Sequence, residues 1–158
     1  MEPLVFEYKS SSTEETVILA KRLGGMLEPG DVLTLEGDLG AGKTTFTKGL
    51  AQGLGIKRMV NSPTFTIIKE YHGRLPLYHM DVYRVTNESE DLGFDEYFEG
   101  EGVTVVEWAH LIGDQLPENR LEIQLYHEPN GGRRILFKPK GYRYERLCEE
   151  FFYEDLGN

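Results

Sequence analysis

DVLTLEGDLGAGKTT, residues 31–45, decides the fold. Its opening stretch, 31–36, is β-rich and mostly apolar, as a buried strand is. The remainder, GDLGAGKTT, fits the spacing G-x-x-x-x-G-K-[S/T] through Gly37, Gly42, Lys43 and Thr44. A helix is predicted from 43 to about 54, with Gly53 and Gly55 suiting its C-terminal end. Strand, glycine-rich loop and helix in this order form a phosphate cradle. Glycines let the backbone of Asp38, Leu39, Gly40, Ala41 and Gly42 turn N–H groups onto phosphate oxygens with no Cβ in the way. The helix N-terminus, at Lys43, Thr44 and Thr45, adds partial positive charge. Lys43 is expected to reach the β- and γ-phosphates and the Thr44 hydroxyl to coordinate Mg²⁺, so ATP and Mg²⁺ are the expected ligands.

Outward from this unit, the chain alternates strands and helices. Residues 4–8 read as a short strand. Ser12, with Glu15 three residues on, reads as the capping box of a helix over 13–27. Residues 64–71 and 75–83 read as a hairpin around His72, Gly73 and Arg74, and 89–98 as a short helix. A buried strand over 102–108 follows. Residues 121–127 and 133–138 read as a second hairpin, and 142–153 as a terminal helix. The predicted class is α/β: a P-loop NTPase-type three-layer sandwich whose mixed sheet includes antiparallel hairpins, with 1–158 as one ATPase domain.

The 158 residues suit one hydrophobic core, and 39% of them are apolar, well above a disordered composition. No apolar run approaches the roughly 20 residues of a membrane span, and no signal peptide is expected at the start. Cys148 is the only cysteine, which excludes an intrachain disulfide and fits a reducing cytoplasm. The formal charge of −10 argues against tight stand-alone binding to nucleic acid, so any role in RNA chemistry is expected to run through a partner.

Further residues carry chemistry by type and place. Asp81 ends an apolar strand, where a carboxylate anchors Mg²⁺ or simply closes the strand. Glu107 follows Val103 to Val106 and is placed beyond a strand's carboxyl end, to hold Mg²⁺, to orient the attacking water, or merely to end the strand. Trp108 is either near the nucleotide or packed on the core. In Ser62-Pro63-Thr64-Phe65, Thr64 has the position of a γ-phosphate-sensing switch, the alternative being an ordinary turn. His79 shares a strand face with Asp81 and supports the metal site or packs in the core. Arg133 and Arg134 follow a glycine-rich turn. One of them can reach a phosphate, the alternative being solvated hairpin arginines. Cys148 reads as structural.

GDLGAGKTT, SPTF, HMDVYR and VVEW, in this order between Gly37 and Trp108, with the Ser12 to Thr16 opening, resemble the bacterial TsaE family, formerly YjeE. The resemblance spans nearly the whole chain. It implies an ATPase acting with TsaB and TsaD to install threonylcarbamoyl on the adenosine beside the anticodon of tRNAs that read ANN codons. It further implies that Lys43 binds phosphate, Thr44 and Glu107 hold Mg²⁺, Asp81 is the Walker B-type acid and Thr64 the switch. Trp108 lies near the nucleotide, and the opening at Ser12 contacts the adenine side. A small-molecule kinase would need an arginine-rich lid, which the sequence lacks. A non-enzymatic, ATP-dependent scaffold would bind without turnover.

Overall fold

The computed structural model describes residues 4–37, 42–57, 68–82 and 93–155. At its centre is the strand that leads into the glycine-rich loop, β2 (Val32–Gly37), between two parallel partners, β5 (Val103–Glu107) and β6 (Arg120–His127). Parallel strands covered on both faces carry continuous apolar runs, and residues 32–35 and 103–107 are accordingly buried throughout. Beyond β5 lie β4 (Leu77–Asp81), parallel to it, and β3 (Ile68–Tyr71), antiparallel to β4. Beyond β6 come β7 (Arg133–Lys140) and β1 (Phe6–Ser10), each antiparallel to its neighbour. The sheet order is β1-β7-β6-β2-β5-β4-β3, which bears out the mixed α/β sheet and both hairpins.

Helices cover both faces. α1 (Thr13–Met26), α2 (Lys43–Gly53) and α4 (Tyr142–Glu149) lie on one side, where Leu19, Leu23, Phe46, Leu50 and Leu147 pack on Leu33, Leu35, Val105, Ile123 and Phe137. α3 (Phe94–Phe98) and a 3₁₀ segment, Ala109–Gln115, cover the other, where Phe94, Phe98 and Ile112 meet Val32, Met80 and Val106. Strand alternation divides each strand between these two layers.

Some bounds differ from the sequence reading. The first strand is Phe6–Ser10 rather than 4–8, because it follows the register that pairs Phe6 with Phe137. The terminal helix is α-helical only to Glu149 and widens to π geometry over Glu150–Asp155. The 3₁₀ segment was not foreseen. Predicted residues 64–67, 83 and 89–92 lie outside the described residues. Among the described residues, no helix is long and apolar enough to cross a membrane.

Two local devices hold the loop's supports in place. The first is a close helix crossing. A Cβ on Gly49 of α2 would stand 2.6 Å from Ala20 Cβ and 2.7 Å from Val17 O of α1, and a Cβ on Gly24 would stand 2.5 Å from Leu50 O. The second is a clasp at the start of β2. Tyr144 Oη accepts from Val32 N at 2.8 Å, and Arg143 forks onto Asp31 at 2.7 and 3.2 Å. Burial pushes both the Tyr144 phenol and the Cys148 thiol up to about 12.

Gly49→Ala is expected to cost about 1–3 kcal/mol by overpacking. Gly25→Ala, with open space around the new methyl, is expected to gain up to about 1 kcal/mol from helix propensity. Urea unfolding of the two variants checks the pair. The raised pKa values of Tyr144 and Cys148 favour the protonated forms in the folded state. Their stabilisation is therefore complete below the unfolded values of 9.0 and 10.0 and is lost as pH rises towards 12. Unfolding midpoints measured from pH 8 to 11 should fall, and Cys148→Ala should flatten the first part of that fall.

Candidate functional site

Three parallel strands, β2, β4 and β5, end on the same edge of the sheet, beside the start of α2. Leu77 and Val105 face the α1–α2 layer, so alternation turns His79, Asp81 and Glu107 to that same side. Asp81 and Glu107 are register partners on adjacent strands. The strand of Glu107 runs parallel to the loop strand, as the sequence reading required, and Glu107 is its last residue, paired with Leu35, rather than lying beyond it.

Glu107 is the hub. Its side chain is 6% exposed and lies between two cationic or donor groups. His79 Nε2, on a fully buried ring, lies 2.6 Å from Oε2. Lys43 Nζ, itself only 10% exposed, lies 4.0 Å from Oε1. A carboxylate is an acceptor, so His79 donates through Nε2–H. Nδ1 is buried and has no hydrogen-bond partner among the described residues; a lone pair there costs less than a stranded N–H. Of the two readings of His79, support of a metal site and packing in the core, the structure shows a fully buried ring, bonded to Glu107.

Lys43 also lies over the indole of Trp108, 4.4 Å from the ring centroid. Trp108 has φ +60, the one positive φ outside glycine among the described residues. A bulky side chain in that region costs about 1–3 kcal/mol, and such strain concentrates at functional sites. The kink places the ring over the lysine instead of continuing the strand.

Lys43 is the first residue of α2, whose N-cap, Gly42, has φ +103 and offers no side-chain cap. The first N–H groups of any α-helix have no partner within the helix itself, and they point towards the glycine-rich loop. Arg133 lies alongside: a Cβ on Gly42 would be 3.4 Å from its Nε, while its NH1 donates to Gly131 O and Gly132 O at 3.1 Å. Arg134 instead pairs with Glu7 at 3.4 Å on the hairpin surface. A cavity of about 210 Å³ beside Arg133 is lined by Ser10, Ser11 and Asn130 among others. Ser12 is engaged in capping α1, accepting from Glu15 N at 3.2 Å, and Glu15 reaches Ser11 N at 2.6 Å rather than the cap's own N–H.

Asp38, Leu39, Gly40, Ala41 and Thr64, with its flanking Ser62, Pro63 and Phe65, lie outside the described residues. A larger cavity, about 420 Å³, lies at the far end of β2 by Gly30 and Val32, remote from Lys43. The sequence reading missed Glu36 and His110. Glu36 accepts from His110 N at 3.1 Å and lies 3.1–3.2 Å from its Nδ1. These two are 74 positions apart, and no local pattern announces the pair.

The donor set suits a hard cation. Among the described residues no three His, Cys, Asp or Glu side chains form a ready-made cage. Mg²⁺, however, takes one or two carboxylates with substrate oxygens and water. Glu107 and its register partner Asp81 are two carboxylates on adjacent strand ends, and Glu107 Oε1 is too far from Lys43 for a hydrogen bond.

The family model of the threonylcarbamoyl adenosine biosynthesis protein TsaE matches residues 10–135. A relative from Bacillus subtilis, a tRNA threonylcarbamoyladenosine biosynthesis protein TsaE, is 62% identical over 94% of this chain and 95% of its own length. One of the same name from Treponema pallidum is 46% identical over 80% of this chain and 95% of its own. The crystal structure of Bacillus subtilis YdiB superposes with a TM-score of 0.87 at 54% identity, over 98% of this chain and 99% of that one.

His79→Ala removes the donor from a buried carboxylate and is expected to cost about 1.5–3 kcal/mol of stability. His79→Gln, which can place an amide near the lost Nε2, should recover part of it. Chemical denaturation of both variants measures the difference.

Proposed function

The chain belongs to the TsaE family, and from that membership we propose that it is a Mg²⁺-dependent ATPase subunit. It works in the cytoplasm with TsaB and TsaD in forming threonylcarbamoyladenosine beside the anticodon of tRNAs reading ANN codons. The observation that carries the ATPase reading is Lys43. A buried ammonium at an uncapped helix N-terminus, held between Glu107 and the Trp108 face, is poised for an anionic ligand.

Each residue then has a task. Lys43 and the N–H groups of Thr44 and Thr45 bind the β- and γ-phosphates, with Asp38, Leu39, Gly40, Ala41 and Gly42 completing the cradle. Arg133 neutralises phosphate charge from the hairpin side, and the adenine lies towards the Ser12 opening. Thr44, Asp81 and Glu107 would hold Mg²⁺, which offsets the charge that develops on the phosphate oxygens. Glu107 also orients the attacking water, and His79 keeps its carboxylate in one rotamer by donating to Oε2. Thr64 senses the γ-phosphate. Trp108 covers Lys43 and limits water around it.

Lys43→Ala should weaken ATP binding by about 1.5–3 kcal/mol, roughly 10- to 100-fold, as measured by titration calorimetry. Glu107→Gln should leave the fold intact and lower Mg²⁺-dependent phosphate release. Release by the wild-type chain should be slow alone and faster with TsaB–TsaD, and tRNA binding by the chain alone should be weak at physiological salt. Unchanged ATP affinity in Lys43→Ala, or a rate indifferent to the partners, contradicts the proposal.

A further inference from the structure

On the sheet face opposite α2 lies a second cavity, about 260 Å³, lined by Glu36, Gly37, Trp108, His110, Gln124 and Tyr126. It opens where β2 ends, beside the first glycine of the loop. Nothing described so far uses Gln124 or Tyr126. We propose that this cavity receives an arginine side chain supplied by a protein partner.

The lining fits a guanidinium. Two aromatic rings, Trp108 and Tyr126, provide flat faces on which a planar cation stacks. Glu36 provides a carboxylate, 29% exposed, to which a guanidinium fork can bind in bidentate fashion. His110 uses part of that carboxylate's acceptor capacity, which spans about four lone-pair sites. Gln124 Oε1 already accepts from Tyr126 Oη at 2.9 Å, which fixes the tyrosine at the cavity's edge. The chain itself shows the contact type: the Arg134 guanidinium carbon lies 5.7 Å from the Tyr126 ring centroid.

Two alternatives fit less well. A lysine ammonium satisfies the charge but neither stacks nor forks. A nucleobase would stack, but as part of a polyanion it would have to approach a chain of net charge −10 at a wall that carries a carboxylate.

Trp108 makes the cavity more than a docking point. Its ring walls the cavity and also lies under the Lys43 ammonium. A cation in the cavity and the lysine thus share one ring, and arrival of the partner's arginine is felt at the phosphate-binding group. The inference rests on the ATPase-subunit reading only for the partner's role; the cavity's preference for a guanidinium is separate from it.

The test uses the full chain and N-acetyl-arginine amide as probe, followed by amide NMR shifts and by fluorescence of Trp108, the only tryptophan. Saturable shifts centred on Glu36, Gln124 and Tyr126 are expected, with an affinity in the roughly millimolar range of a single side chain. N-acetyl-lysine amide should bind several-fold more weakly. Glu36→Gln should weaken the arginine probe roughly tenfold or more. Tyr126→Ala, at a half-exposed position where folding is not at stake, should weaken it too while leaving ATP affinity unchanged. Absence of saturable shifts, equal binding of the arginine and lysine probes, or preferential binding of guanosine overturns the proposal. ATP calorimetry on the same samples keeps the readings distinguishable. A chain that binds the arginine probe but not ATP retains this inference and loses the ATPase reading.

Discussion

A carboxylate buried at a strand end needs partners, and the site is organised around that need. Leaving an ionised Glu107 without them would cost several kcal/mol. The partners come from elsewhere in the chain: His79 from β4, one strand over, and Lys43 from α2, across the loop. The contact to His79 requires β4 and β5 to run parallel in the observed register, which sets His79 opposite Val105 and Asp81 opposite Glu107. The contact to Lys43 requires α2 to start directly above the ends of these strands. Strand order, register and helix placement thus meet in one buried charge.

The same arrangement explains why a lysine can be buried at all. An ammonium is rarely taken out of water unless it is paired. Lys43 has a carboxylate at 4.0 Å and an aromatic face at 4.4 Å, neither of them a close hydrogen bond. Among the described residues these two contacts hold it at distances that leave room for a ligand. Trp108 supplies the face at the expense of a strained backbone, and its ring also walls the cavity on the other side of the sheet.

Much of this was legible in the sequence, for physical reasons. The loop glycines, the lysine and the apolar runs of β2 and β5 carry short-range patterns that translate directly into strand, turn and helix. Glu107 and Asp81 could be placed because a strand end can be read from where an apolar run stops. The hairpins followed from turn residues. Other features depend on contacts between distant residues: the Glu36–His110 pair, the clasp of Arg143 on Asp31 across 112 positions, and the choice of His79 as the donor to Glu107. The two-residue shift of β1 belongs here too, since an edge strand takes its register from its neighbour and not from its own alternation. Ser12 carried both a cap and a ligand expectation, and the geometry shows the cap.

The glycine crossing of α1 and α2 has a mechanical corollary. Backbones that touch through Gly24 and Gly49 leave no slack for one helix to slide or roll against the other. The helix that begins with Lys43 is therefore a fixed post, anchored along its flank to the element that β1 leads into. Any change of shape that accompanies ligand binding must be absorbed at the strand ends and their connections, while the post supplies the rigid reference against which such a change is made.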